Sequence, residues 1–286
     1  MSQTQDQQPT IPQPPAGVKA HRDLPYVPQG HERQKLDLYL PKGGEHCPLI
    51  IWVHGGAFRM GSKEGNGPDS LPFDYLMEGY ALASINYRLS QHAVFPAQIE
   101  DCKAAVRWLR AHANTYKLDP NRFAAWGPSA GGHLVAMLGV TGHVNKFEVG
   151  DHLDVSSQVQ CVIDYFGPTD FLQMDNQRLP DGLIHNDANS PESELVGGPI
   201  QKNKEKVAQA NPITHIISDT PPFLVVHGDC DPLVPYGQSV LLVEALQQVN
   251  ADVTFYTVAG EGHGHFSDPR VPEVTKSFLA HHIGPK

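Results

Sequence analysis

No other stretch narrows the possible folds as far as Ala124-Ala125-Trp126-Gly127-Pro128-Ser129-Ala130-Gly131-Gly132-His133. Arg122 to Trp126 is short, bulky and apolar, as a buried strand is, and Leu134-Val135-Ala136-Met137-Leu138 continues as an apolar helix. Ser129 therefore stands in the turn between two buried elements, inside a Gly-x-Ser-x-Gly pattern. Small residues on both sides let strand and helix approach closely, while the serine takes a strained backbone conformation that holds its hydroxyl out of the sheet. The helix start turns backbone N–H groups toward whatever that hydroxyl attacks. A pattern this short needs partners elsewhere in the chain before it means chemistry.

The elements around it repeat the same theme. Arg22 to Val27 and Gln34 to Leu40 read as an antiparallel edge pair, the second alternating apolar and polar. Pro48 to Val53 is a continuous apolar run, hence a strand buried on both faces, and it ends in His54-Gly55-Gly56-Ala57-Phe58. Pro72 to Gly79 predicts a short helix and Tyr80 to Tyr87 the next strand. Pro96 opens a helix at its favoured first position, with Ile99, Cys102, Val106, Leu109 and Ala113 on one apolar face, and Asp119-Pro120-Asn121 breaks it. Strands are predicted over Val159–Phe166, Pro222–His227 and Val253–Val258, and helices over Ser239–Val249 and Glu273–His282. Strands alternating with helices mean an α/β fold, a mostly parallel sheet with helices on both faces. Between Gly167 and about Asn211 the periodicity fades, apart from a helix through Lys204 to Ala210. A long irregular insertion of this kind predicts a lid or binding loop.

Length and composition fit one such domain. The chain has 286 residues, 40% of them hydrophobic and 18% charged, which excludes a disordered class and allows one large core. Residues 1–20, rich in Gln and Pro, predict a flexible tail, leaving 21–286 as the domain. The formal charge of −10, with Lys and Arg scattered, disfavours nucleic acid and anionic membranes as partners. No apolar run is long enough for a membrane helix, and the first residues lack a signal-peptide core. The expected compartment is the cytoplasm, or the exterior if a signal segment is missing from this sequence. Cys47, Cys102, Cys161 and Cys230 are far apart, form no metal-type pair and predict small buried side chains.

A serine hydroxyl is a poor nucleophile near neutral pH and needs a histidine to take its proton and a carboxylate to orient that histidine. Both types lie downstream at strand ends. Phe223–His227 runs into Gly228-Asp229-Cys230-Asp231-Pro232-Leu233-Val234-Pro235, and Val253–Val258 runs into Ala259-Gly260-Glu261-Gly262-His263-Gly264-His265. Loops at the carboxyl ends of parallel strands form the site in such sheets, so Ser129, one of these aspartates and one of these histidines converge. By position alone Asp229 competes with Asp231, and His263 with His265. His54-Gly55-Gly56-Ala57 supplies the fourth part, backbone donors for a negative oxygen, which assigns the N–H groups of Gly56, Ala57 and Ala130 to an oxyanion hole.

Together, His54-Gly55-Gly56, Asn86-Tyr87-Arg88-Leu89, Gly127-Pro128-Ser129-Ala130-Gly131-Gly132, His227-Gly228-Asp229-Cys230-Asp231-Pro232-Leu233-Val234-Pro235 and Gly262-His263-Gly264 resemble the α/β-hydrolase superfamily. The resemblance is to carboxylesterases similar to hormone-sensitive lipase and to bifunctional carbohydrate/feruloyl esterases, and it covers residues 21 to 286 in order. It implies an esterase with no cofactor and no metal, Ser129 as nucleophile, His263 as base and Asp231 as its orienter, because the family's Asp-x-x-Val-Pro falls on Asp231. It implies short-chain acyl, acetyl or feruloyl esters of carbohydrates, small molecules or oligosaccharides, as substrates.

Two residues depart from the pattern. Ala57 stands where a third glycine is common, tolerable if its backbone stays at negative φ. His265 stands where a phenylalanine often follows the catalytic His-Gly, so it is grouped with Phe58 and Leu233 as a candidate substrate-binding residue. Phe58 and Leu233 either line the pocket or fill core. His133 and Trp126 are expected in the core beneath the turn. An amidase such as a kynurenine formamidase shares triad and loop, and a silent hydrolase-fold receptor shares the fold; both stand as alternatives.

Overall fold

The structure is a computed structural model that describes residues 13–65, 70–264 and 266–285. Its sheet begins with an antiparallel hairpin, β1 (Lys19–Pro25) and β2 (Lys35–Leu40), before β3 (Cys47–Val53). Chain order continues through α1 (Asp74–Met77), β4 (Ala81–Ile85), α2 (Ala97–Ala111), α3 (Ala113–Tyr116), β5 (Leu118–Pro128) and α4 (Ala130–Val140). It then gives β6 (Cys161–Tyr165), α5 (Met174–Gln177), α6 (Pro191–Val196), α7 (Lys204–Ala210), β7 (Phe223–Gly228), α8 (Gly237–Gln248), β8 (Val253–Val258) and α9 (Arg270–Ile283). The strands lie in the order β1-β2-β4-β3-β5-β6-β7-β8. β2 pairs antiparallel with both β1 and β4, and every pair from β4 to β8 is parallel.

Period-two alternation divides the core between the two faces of this sheet. Leu49, Ile51 and Val53 of β3 join Ile99, Val106, Leu109, Leu134, Met137 and Leu242 from α2, α4 and α8. Ile50 and Trp52 of the same strand join Leu76 of α1 and Val271, Phe278 and Leu279 of α9 on the other face. Strands covered on both sides must be apolar throughout, and β3 and β4 are buried at every position. Among the described residues no helix is long and apolar enough to cross a membrane.

Four expectations need correction. Asp119-Pro120-Asn121 belongs to β5, because pairing with β3 jumps from Cys47↔Leu118 to Leu49↔Phe123, and a proline without an N–H fits inside that irregularity. Pro96 sits one residue ahead of α2, as its N-cap, and Ala113 belongs to the separate α3. The predicted tail falls mostly outside the described residues, and its last two, Lys19 and Ala20, are strand. Of the cysteines, all free, Cys230 is exposed rather than buried.

Candidate active site

The turn after β5 is as tight as its glycines allow. Ser129 has φ 54° and ψ −123°, a conformation that costs an L residue on the order of 1–3 kcal/mol and holds only where its surroundings fix it. Those surroundings are close: a Cβ on Gly131 would lie 2.0 Å from the Val53 carbonyl oxygen, and one on Gly127 2.6 Å from it. The Ser129 N–H donates to Tyr165 O at 2.8 Å, tying the turn to the end of β6. α4, buried along its whole length, starts immediately after, so the Ala130 N–H has no acceptor within the helix.

Ser129, His263 and Asp231 form one hydrogen-bonded chain. Ser129 Oγ lies 3.0 Å from His263 Nε2, and His263 Nδ1 lies 2.7 Å from Asp231 Oδ2. A carboxylate only accepts, so Nδ1 carries the hydrogen and Nε2 is the acceptor facing the serine hydroxyl. Asp231 is buried, and its other oxygen, Oδ1, accepts from the N–H groups of Leu233 (2.7 Å) and Val234 (2.9 Å). Burial pushes this carboxyl up, but the bonds from His227 and His263 outweigh it and hold it well below the usual carboxylate range. Asp229 is outside the chain; its Oδ1 accepts from Gly260 N–H at 2.6 Å, bracing the β8 loop.

His227, at the end of β7, was not singled out by its sequence context. It is fully buried; Nε2 faces two acceptors, Asp231 Oδ2 at 3.2 Å and Val234 O at 3.0 Å, and Nδ1 lies 2.7 Å from Ser239 Oγ. Nε2 must therefore carry hydrogen, and Asp231 receives donors from both sides.

The triad opens on a cleft of about 1120 Å³ whose lining includes Gly56, Ala57, Met60, Ser129, Leu233 and His263. Trp52, Phe73, Tyr75, Trp126, Tyr165 and Phe266 supply an aromatic wall. Trp126 thus does more than fill core: it packs edge-on against Trp52, Tyr75 and Tyr165 and borders the cleft. Leu233 is 46% exposed at the mouth, which leaves it free to meet a ligand. Phe58 is corrected to core, because it is 1% exposed, packs edge-on against His133 and Phe171, and is absent from the described lining. His133 is buried too, its Nδ1 2.8 Å from Pro168 O. His265 lies outside the described residues.

The segment 167–211, the expected lid, is tied to the loop after β7. Leu183 N–H donates to Pro232 O at 2.8 Å, so the segment flanks the mouth, and none of its residues is in the described lining. Ala57 departs from expectation: its φ is +54°, not negative, and Gly56, Phe58 and Gly61 are at +107°, +59° and +89°. The loop at the end of β3 is strained over consecutive residues.

A family model described as BD-FAE matches residues 36–246. This chain belongs to the BD-FAE family. Among its relatives, the esterase LipC of Mycobacterium tuberculosis is 32% identical over 81% of the chain. LipM of the same organism, a carboxylic ester hydrolase by name, is 34% identical over 73%. The chain spans only 57% of LipC and 47% of LipM, about half the length of each. Among solved structures, a truncated carbohydrate esterase from gut microbiota superposes with a TM-score of 0.85 at 32% identity, covering 95% of this chain and 99% of that one. A bifunctional GH43-CE of Bacteroides eggerthii gives 0.84 at 34% identity, covering 93% of this chain and 35% of that one. The architecture of this BD-FAE chain is that of the α/β-hydrolase carboxylesterases.

Proposed function

We propose that this protein hydrolyses carboxylic esters through an acyl-enzyme on Ser129. The observation that carries the reading is the hydrogen-bonded chain from Ser129 Oγ through His263 to Asp231, opening on a cleft next to Gly56 and Ala57. His263 Nε2 takes the hydroxyl proton as Ser129 Oγ bonds to the carbonyl carbon, and the oxygen that becomes negative is received by the N–H groups of Gly56, Ala57 and Ala130. Collapse of this intermediate breaks the bond to the alcohol oxygen, which leaves with the proton from His263. Water repeats the sequence on the acyl-serine, giving the acid and returning the proton. Asp231 holds the imidazole in the tautomer that accepts at Nε2 and stabilises the imidazolium.

The cleft size supports a bulky group on one side of the ester. About 1120 Å³ is at the upper end of small-molecule pockets and far more than an acetyl group fills. An aromatic wall favours a ring there, which suits feruloyl esters, and the carbohydrate-esterase structures the fold resembles suit a sugar on the alcohol side. A side-by-side panel tests the reading: nitrophenyl acyl esters from acetate to decanoate, methyl ferulate, acetylated xylan and formylkynurenine. Ester hydrolysis that Ser129→Ala abolishes is expected. Formylkynurenine turned over faster than every ester would overturn it in favour of an amidase, and no turnover at all would favour a silent receptor.

A further inference from the structure

The loop that carries Gly56 and Ala57 holds four residues at positive φ, two of them not glycine. Such a conformation persists only when the surrounding structure over-determines it. The surrounding structure here converges on Arg33, contributed by the turn between β1 and β2. Its Nη2 lies 3.1 Å from His54 Nε2, donates to Gly61 O at 2.9 Å and reaches Asn86 Oδ1 at 3.3 Å, while Nε donates to Tyr87 O at 2.8 Å. His54 and Gly61 are the two ends of the strained loop, so one guanidinium clamps both ends and fastens them to the chain that follows β4.

His54 is made for this contact. It is fully buried, its ring stacks on Tyr87 at 4.4 Å, and Nδ1 lies 2.7 Å from Gly55 O. Facing a carbonyl, Nδ1 must donate; Nε2 then has only a lone pair, which it presents to a group that can never accept. Burial pushes this imidazole down to about 3, so it stays neutral and remains an acceptor for Arg33 at any working pH. The ends are also in close contact with each other: a Cβ on Gly61 would fall 2.5 Å from both His54 Nδ1 and Gly55 O. The neighbouring bonds extend the same clamp, with Asn86 Oδ1 accepting from Lys63 N–H at 2.7 Å and Tyr87 Oη donating to His54 O at 3.0 Å.

We propose that Arg33 is a positioning residue for the oxyanion hole, acting through His54 and Gly61 to hold the N–H groups of Gly56 and Ala57 in their strained geometry. The proposal rests on the hydrolase reading above, since only an oxyanion gives those N–H groups a task. Donors aimed at charge that develops in the transition state contribute there and little in the ground state, so their misplacement lowers kcat and spares KM.

The test uses the full chain with nitrophenyl butyrate, comparing wild type, Arg33→Ala, Arg33→Lys and Ser129→Ala, with thermal melts of each. Arg33→Ala is expected to lose about 10- to 100-fold in kcat with KM within about twofold. Guanidinium ion below denaturing concentration should restore part of the loss in Arg33→Ala and not change wild type. Arg33→Lys, which keeps the charge but cannot reach all four acceptors, should fall between the two and guards against a folding failure in the alanine variant. Arg33 variants with unchanged kcat, or a loss confined to KM and untouched by guanidinium, would overturn the proposal. Wild type inactive, or Ser129→Ala as active as wild type, would instead sink the hydrolase reading.

Discussion

Asp231 and Asp229 stand two positions apart and differ in everything that matters to the chemistry. Asp231 takes donors from Leu233 N, Val234 N, His227 and His263, whereas Asp229 meets Gly260 N–H on an exposed loop. Asp231→Asn keeps the shape but removes the charge that fixes the His263 tautomer, so kcat on a short-chain ester should fall on the order of 10⁴-fold with the fold retained. Asp229→Asn still offers an oxygen to Gly260 and should stay within about threefold of wild type. Steady-state kinetics on the two purified variants compares them, and equal losses would show that the carboxylate has been misassigned. Strand-end position made Ser129, an aspartate after β7 and a histidine after β8 legible in the sequence, whereas the choice of Asp231 over Asp229 and of His263 over His265 came from the family pattern. His227 and Arg33 were not legible: His227 meets Asp231, Val234 and Ser239 only because the chain after β7 folds back over the strand end, and Arg33 meets His54, Gly61 and Tyr87, all distant from it in sequence.

The turn after β5 and the loop after β3 solve the same packing problem in opposite ways. Gly131 leaves no room, with its virtual Cβ 2.0 Å from Val53 O, so Gly131→Ala must push α4 off β3. A loss of about 2 kcal/mol or more in urea-unfolding free energy is expected, with activity lost alongside. Ala57 carries a Cβ at φ +54°, a left-handed conformation that costs about 1 kcal/mol in a non-glycine residue. Ala57→Gly should therefore leave the unfolding midpoint unchanged or raised, and keep kcat within about threefold, because the loop geometry is already the one glycine prefers. A clear drop in midpoint would mean that the Ala57 methyl contributes packing that outweighs its strain. Periodicity located the strands and the long helices but could not orient single side chains: Phe58 turned to the core, and Trp126, in the core as expected, also borders the cleft. Nor could it find β5 through Asp119-Pro120-Asn121, whose place in the sheet depends on a register irregularity opposite Cys47 and Leu49.

Stability and chemistry meet beneath the nucleophile, where Asp164 of β6 is fully buried with Oδ1 accepting from Gly167 N–H at 2.9 Å and Oδ2 unpartnered among the described residues. Burial pushes its carboxyl up to about 7, whereas an unfolded aspartate titrates near about 3.9. Between these values the folded chain holds a proton that the unfolded chain has released, so stability falls as pH rises through that window and levels off above it. From about pH 5 to pH 8 this single group should cost on the order of 3 kcal/mol. Urea unfolding of Asp164→Asn at both pH values should lack that part of the wild-type decline, and an identical decline in the variant would place the titration elsewhere. Hydrolysis by the proposed route requires Ser129 to be the activated nucleophile, and a fluorophosphonate that reacts with such serines tests this most directly. The protein should take up one phosphonyl group, mapped by mass spectrometry to the peptide containing Ser129, with ester hydrolysis lost in proportion to labelling. A label on another residue with Ser129 unmodified, or full activity in the fully labelled protein, would contradict it.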